Sequence, residues 1–140
     1  MRIFLDANIL VSVLNKEYPL FTWSSRILSL TDHKGYEVFT SPLCLAIAFY
    51  FAEKKNRKLA KNKIKLLASH LSITGMGATA VKKTINNSAI NDFEDGLEYY
   101  AALESKCDCI ITEDTGDFYF SDIEVLNCEA FFEKYLAAGK

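Results

Sequence analysis

Short apolar runs alternate along this chain with longer segments of helical periodicity. Ile3-Phe4-Leu5 is a continuous apolar run that stops at Asp6, the pattern of a strand covered on both faces. Asn8 to Leu14 stays apolar and predicts a helix or turn. Pro19 suits the first turn of a helix running to about Asp32, with Gly35 as its stop. Glu37 to Thr40 reads as a second strand, after which Ser41 can cap a helix that has Pro42 at its first position. Leu43 to Glu53 is apolar all round and predicts a buried helix. The basic segment beyond it predicts another, ending near His70, with Leu59, Ile64, Leu66 and Leu67 turned inward. Leu71 to Thr74 is a third strand, broken by Gly75 and Gly77, and Ala78 to Asn86 a short helix. A further helix runs from Asp92 to about Ser105, with Asn91 and Glu94 spaced as a capping pair. Its apolar side is Phe93, Leu97, Tyr100, Ala101 and Leu103. Cys109 to Thr112 and Glu124 to Leu126 are strands, and Glu129 to Leu136 a closing helix. Strands alternating with helices predict an α/β fold of three layers, with a mostly parallel central sheet flanked by helices on both faces.

Composition adds bounds to this picture. The 140 residues fit a single domain spanning 1–140. Half of them are apolar, enough for a real core and against disorder. The chain opens directly on the strand at Arg2, with no charged-then-apolar leader, which points to a cytoplasmic protein. Its longest apolar stretch, Leu43 to Ala52, is too short to span a bilayer, so no membrane partner is expected. Cys44, Cys107, Cys109 and Cys128 then read as reduced core thiols. A zinc site would need further ligands at suitable spacing, and His33 and His70 are isolated.

The net charge of −2 conceals a split. No acidic residue lies between Lys54 and Asn91, a stretch that holds Lys54, Lys55, Arg57, Lys58, Lys61, Lys63, Lys65, Lys82 and Lys83. Two readings stand: a surface for nucleic acid, led by Lys54, Lys55, Arg57, Lys58 and Lys61, or a solvated helix face. The remainder of the chain is strongly acidic.

That acidity collects where chemistry is expected. In open α/β sheets ligands bind outside the carboxyl ends of the strands. Asp6 ends the first strand there, and Glu113, Asp114 and Asp117 follow the strand at Cys109–Thr112. A third source is the helix starting at Asp92, although strand–helix alternation is read here as placing that start at the amino ends of the strands, so that it needs an offset to reach the crevice. At about 100° per residue, Glu94, Glu98 and Ser105 share one polar strip and read as facing solvent, whereas Asp92 and Asp95 lie on the other flank. Each acid also has a plainer role. Asp6 can cap the next segment, Asp95 can complement a helix dipole, and Asp114 and Asp117 can be turn residues about Gly116. Jointly, clustered carboxylates repel unless a cation neutralises them, and hard oxygen ligands suit Mg²⁺ or Mn²⁺.

Three segments carry a family resemblance that covers nearly the whole chain. Arg2-Ile3-Phe4-Leu5-Asp6-Ala7-Asn8-Ile9-Leu10 resembles the opening strand motif of the PIN domain family. Asp92-Phe93-Glu94-Asp95-Gly96-Leu97 resembles its acidic helix start, and Thr112-Glu113-Asp114-Thr115-Gly116-Asp117-Phe118 its strand-end motif. The resemblance implies a metal-dependent ribonuclease fold, as in the VapC-type toxins of bacterial toxin–antitoxin pairs. It also implies that the Asp92 helix does deliver its aspartate to the acidic crevice. Asp6, Asp95 and Asp117 match the family's metal-binding acids and Asp114 its Asn-or-Asp position, making these four the expected metal and catalytic residues. Asn8 and Thr112 match supporting polar positions, and Asp92 joins them as a supporting residue. The implied partners are RNA, a separate antitoxin protein and a second copy of the chain as a homodimer. One departure stands out. The family's Glu in the helix after the second strand falls at about Ile47 here, and Glu53 comes about a turn and a half later. A site for two metals is therefore disfavoured.

The leading functional reading is a Mg²⁺- or Mn²⁺-dependent endoribonuclease, and the missing Glu motivates the alternative, a catalytically weakened PIN-fold module that binds RNA or protein. A haloacid-dehalogenase-like phosphatase also places Asp after its first strand, but needs a second Asp where Asn8 stands. A response-regulator receiver lacks its early acid pair and its late strand-end Lys. Gly75-Met76-Gly77 is too short for a dinucleotide fingerprint.

Overall fold

The computed structural model describes residues 1–137. Five strands form one sheet: β1 (Arg2–Leu5), β2 (Glu37–Thr40), β3 (Ser72–Ile73), β4 (Cys109–Ile111) and β5 (Glu124–Leu126). Their order is β3-β2-β1-β4-β5, and every pairing is parallel. The helices are α1 (Ala7–Leu14), α2 (Phe21–Leu28), α3 (Pro42–Lys55), α4 (Arg57–His70), α5 (Ala78–Asn86), α6 (Phe93–Glu104) and α7 (Cys128–Phe131). Ile3, Phe4, Leu5, Ile110 and Ile111 are fully buried, so the central strands are covered on both faces. Among the described residues no helix is long and apolar enough to cross a membrane.

Chain order reverses between β1 and β4, and the crevice of such a sheet opens at that point, beyond the carboxyl ends. The register pairs Leu5 with Ile111, so the next residues of the two strands, Asp6 and Thr112, stand side by side. The amide of Asp6 continues the ladder to Ile111 O at 3.0 Å. Helix α6 runs antiparallel to the strands and leads into the amino end of β4, where Arg2 Nε donates to Ser105 O at 2.9 Å. It therefore begins at the carboxyl edge. The expected start at the amino ends is corrected, and no offset is needed.

Several boundaries and faces differ from the sequence reading. The helix expected from Pro19 is α2, continued by a 3₁₀ turn at Ser29–Asp32. The third strand keeps only Ser72–Ile73, and the last helix divides into α7 and a π-helical turn, Phe132–Ala137. Helix α3 is not buried all round. Cys44, Ala48 and Ala52 make a single inward strip at four-residue spacing, while Tyr50 and Phe51 face outward. In α4 the core takes Ala60 and Leu67, whereas Leu59 and Leu66 are exposed. Helix α6 is turned furthest from expectation. Phe93 is 51% exposed, and Gly96, Glu98, Tyr99, Ala101 and Ala102 form the buried side. Small residues make that possible, since a Cβ on Gly96 would stand 2.3 Å from Thr84 Cγ2 of α5. The four cysteines are free and buried.

Candidate metal centre

Asp6 occupies the first position after β1 and is buried. Its Oδ1 accepts from the Ala7 amide at 2.6 Å, so it does cap α1. Its Oδ2 accepts from Thr112 Oγ1 at 2.8 Å. Both oxygens are thus fixed by donors, with lone pairs left over for the crevice. Thr112 Oγ1 in turn accepts from Asn8 Nδ2 and from the Asp114 amide, each at 3.1 Å. Asn8 Nδ2 also donates to Asp114 Oδ2 at 3.1 Å, and Asn8 Oδ1 accepts from the Glu113 amide at 3.3 Å. One polar lattice therefore ties the ends of β1 and β4 and aims Asp6 and Asp114 together. Asp117 begins a step further on, in a 3₁₀ turn closed by its amide on Asp114 O at 3.0 Å.

The third wall is α6. Asp92, not Asn91, is its cap, accepting from the Asp95 amide at 3.2 Å. Asp95 lies in the first turn, near enough to Asp6 for the two charges to act on each other. Burial chiefly, and then Asp92, Asp6, Asp117 and Glu94 in that order, push its carboxyl up to about 7. Burial, followed by the charges of Asp92 and Asp6, also raises Glu94.

These residues line an open cleft of about 430 Å³, together with Ala7, Asn8, Val11, Glu17, Ile47 and Phe51. Asp6, Asp92, Asp95, Asp114 and Asp117 all line it, so the four aspartates expected to meet share one cleft, while among the described residues the one group of three acidic or thiol ligand atoms within 4.8 Å of one another is Asp6, Cys44 and Glu98. Its wall carries seven carboxylates, counting Glu17 and Glu94, and no lysine, arginine or histidine among the described residues. Such a donor set repels itself and fits a hard divalent cation. Ile47, where an acid was expected, presents an aliphatic side chain to the same cleft.

Glu98 faces the interior, not solvent. It was expected to face solvent, yet it is 1% exposed, one turn along α6 from Asp95 and with a carboxylate oxygen within 4.8 Å of one of Asp6. Cys44 Sγ donates to its Oε1 at 2.7 Å, and burial with the contact to Asp6 pushes its carboxyl up to about 11. The Cys44 thiol is itself raised, first by burial and then by Glu98 and Asp6. The available signal was the three-residue spacing from Asp95, which puts both carboxylates on one side of a helix.

The basic residues lie elsewhere. Lys54 rests its ammonium 4.7 Å from the centre of the Tyr50 ring, and Lys55 Nζ donates to the carbonyl of Asn15 at the end of α1. Arg57, Lys58 and Lys61 are exposed on α4, and none of the five lines the cleft.

Comparison with known proteins gives concordant results. A family model described as PIN domain matches residues 2–116. A relative from Aquifex aeolicus (strain VF5), Ribonuclease VapC1, is 28% identical over 138 residues, covering 96% of this chain and 95% of the relative. Among solved structures, VapBC2 from Rickettsia felis bound to a promoter DNA fragment contains a chain that superposes with a TM-score of 0.67 at 19% identity, over 91% of this chain and 98% of that one. FitAcB from Neisseria gonorrhoeae gives 0.62 at 16% identity with the same coverage.

Proposed function

The chain belongs to the PIN domain family, and we propose that it is a Mg²⁺- or Mn²⁺-dependent endoribonuclease that hydrolyses RNA phosphodiester bonds. The observation that carries this reading is a cleft at the sheet's switch point walled by carboxylates and free of basic residues among those described. Similarity to a relative named a ribonuclease supports the same chemistry. Asp6, Asp95, Asp114 and Asp117 would hold the ion. When bound, such an ion polarises a phosphodiester and makes water a usable nucleophile near neutral pH.

The chain's own residues prepare that chemistry. Thr112 and the Ala7 amide hold both oxygens of Asp6, so its carboxylate is oriented before any ligand arrives. Asn8 does the same for Asp114. Asp95 and Asp117 line the same cleft. Arg57, Lys58 and Lys61, with Lys54 and Lys55 nearby, offer positive charge outside the cleft to RNA phosphates. By its likeness to VapC-type toxins, the protein would be the toxin of a toxin–antitoxin pair, held by an antitoxin protein, and would form a homodimer.

Cleavage of single-stranded RNA by purified protein, with and without Mn²⁺, tests the reading. Metal-dependent cleavage is expected, with Asp6→Asn reducing it by more than about 100-fold, since a ligand should matter more than its outer-shell supports. Unchanged cleavage by Asp6→Asn protein would overturn it. Ile47 in the cleft favours a second reading, a PIN fold retained for binding RNA or protein without turnover. Robust metal-dependent turnover would reject that alternative.

A further inference from the structure

Resting on the metal reading above, we propose that Glu98 is an additional carboxylate ligand of the centre, reaching the ion from the protein interior.

Glu98 is almost wholly enclosed, and the one hydrogen bond it accepts among the described residues comes from a neutral thiol, Cys44. Its other neighbour is a second carboxylate, Asp6. No basic residue compensates the pair: the ion pairs of the described residues are Arg2–Glu37 and Lys134–Glu124, neither of which involves the cleft. Two buried carboxylates set against each other are costly when both are charged: without metal one of them keeps a proton, and a cation between them can take that proton's place. The spacing suits one. Ligand atoms of Asp6, Cys44 and Glu98 all lie within 4.8 Å of one another. Two oxygens that share a hard cation at about 2.0–2.6 Å are at most about 4–5 Å apart. Asp95 and Glu98, three residues apart, lie on one side of α6, Asp95 in the cleft lining and Glu98 buried outside it. Ile47 contributes no charge from α3, and Glu98 is the carboxylate that would make up for it.

Glutamine at position 98 separates ligation from mere support. Its oxygen can still accept from Cys44 and its amide can donate to Asp6, so the packing and the orientation of Asp6 are preserved while the charge is removed. Mn²⁺ binding by the intact chain is measured at one fixed pH by electron paramagnetic resonance of the free ion. Wild-type protein is expected to bind, Glu98→Gln to bind at least about 10-fold more weakly, and the double variant Ile47→Glu with Glu98→Gln to recover part of the loss. Thermal melting verifies that each variant is folded, and Glu98→Asp, which keeps the charge on a shorter arm, should fall between wild type and Glu98→Gln. Binding by Glu98→Gln within twofold of wild type overturns the ligand role alone and leaves the metal centre standing. A wild-type chain that binds no Mn²⁺ overturns the metal centre and this role with it.

Discussion

Thr112 shows how much of the site is settled by a single side chain. Its hydroxyl donates to Asp6 Oδ2 while accepting from Asn8 and from the Asp114 amide. Thr112→Val keeps the shape and removes all three bonds. RNA cleavage by this variant is predicted to fall about 10–100-fold, with a melting curve close to that of wild type, because on the proposed metal reading the residue orients the ligand Asp6 without itself binding the ion. Asp6 and Asp117 were legible in the sequence because apolar strands and a short turn motif fix where they stand. Glu98 was not, because the inward side of α6 depends on what packs against it. The wheel alone favoured Phe93, Leu97 and Tyr100 as the buried side, whereas the fold chose the arc centred on Asp95, Glu98 and Tyr99.

The packing of α6 on α5 sets that rotation. Gly96 sits where any Cβ would meet Thr84 Cγ2 at 2.3 Å and Ile90 Cγ2 at 3.0 Å. Gly96→Ala gains about 1 kcal/mol of helix propensity and incurs an overpacking cost of about 1–3 kcal/mol. The clash is with a buried β-branched residue that also bonds its own helix at Ala80 O, so it yields little. A net loss of about 1–2 kcal/mol in urea unfolding is predicted, accompanied by weaker Mn²⁺ binding, since Asp95 is the adjacent residue. Element existence was well signalled by periodicity: all five strands and every major helix fall where the pattern placed them. Element orientation was not, as with α3, whose aromatic face of Tyr50 and Phe51 looks outward although its composition suggested full burial. Lys55 makes the same point, since a charge that sequence alone left between a nucleic-acid surface and a solvated face reaches back to the end of α1.

Over the whole molecule, the acidic cleft ties stability to pH and, on the proposed metal reading, to a divalent ion. Asp95 is pushed from 3.8 up to about 7 and Glu98 from 4.5 up to about 11. Between each pair of values the folded chain holds a proton that the unfolded chain has released, so every rise in pH through the window favours unfolding. In EDTA the melting temperature is therefore predicted to be higher at about pH 5.5 than at about pH 8. Glu98→Gln, which cannot ionise, should flatten that slope. Added Mn²⁺ should reverse it, since ligands must shed protons to bind an ion and binding to the folded state alone stabilises it. A metal-free chain more stable at the higher pH would show that the carboxylates are not crowded as described.

The central claim is that this cleft, at the junction of β1 and β4, holds a divalent ion, and anomalous scattering from a Mn²⁺-soaked crystal tests it most directly. The prediction is a peak within about 2.0–2.6 Å of the carboxylate oxygens of Asp6 and of at least two among Asp95, Glu98, Asp114 and Asp117. No peak in the cleft at saturating Mn²⁺, or ions bound only at other surface carboxylates, would contradict it.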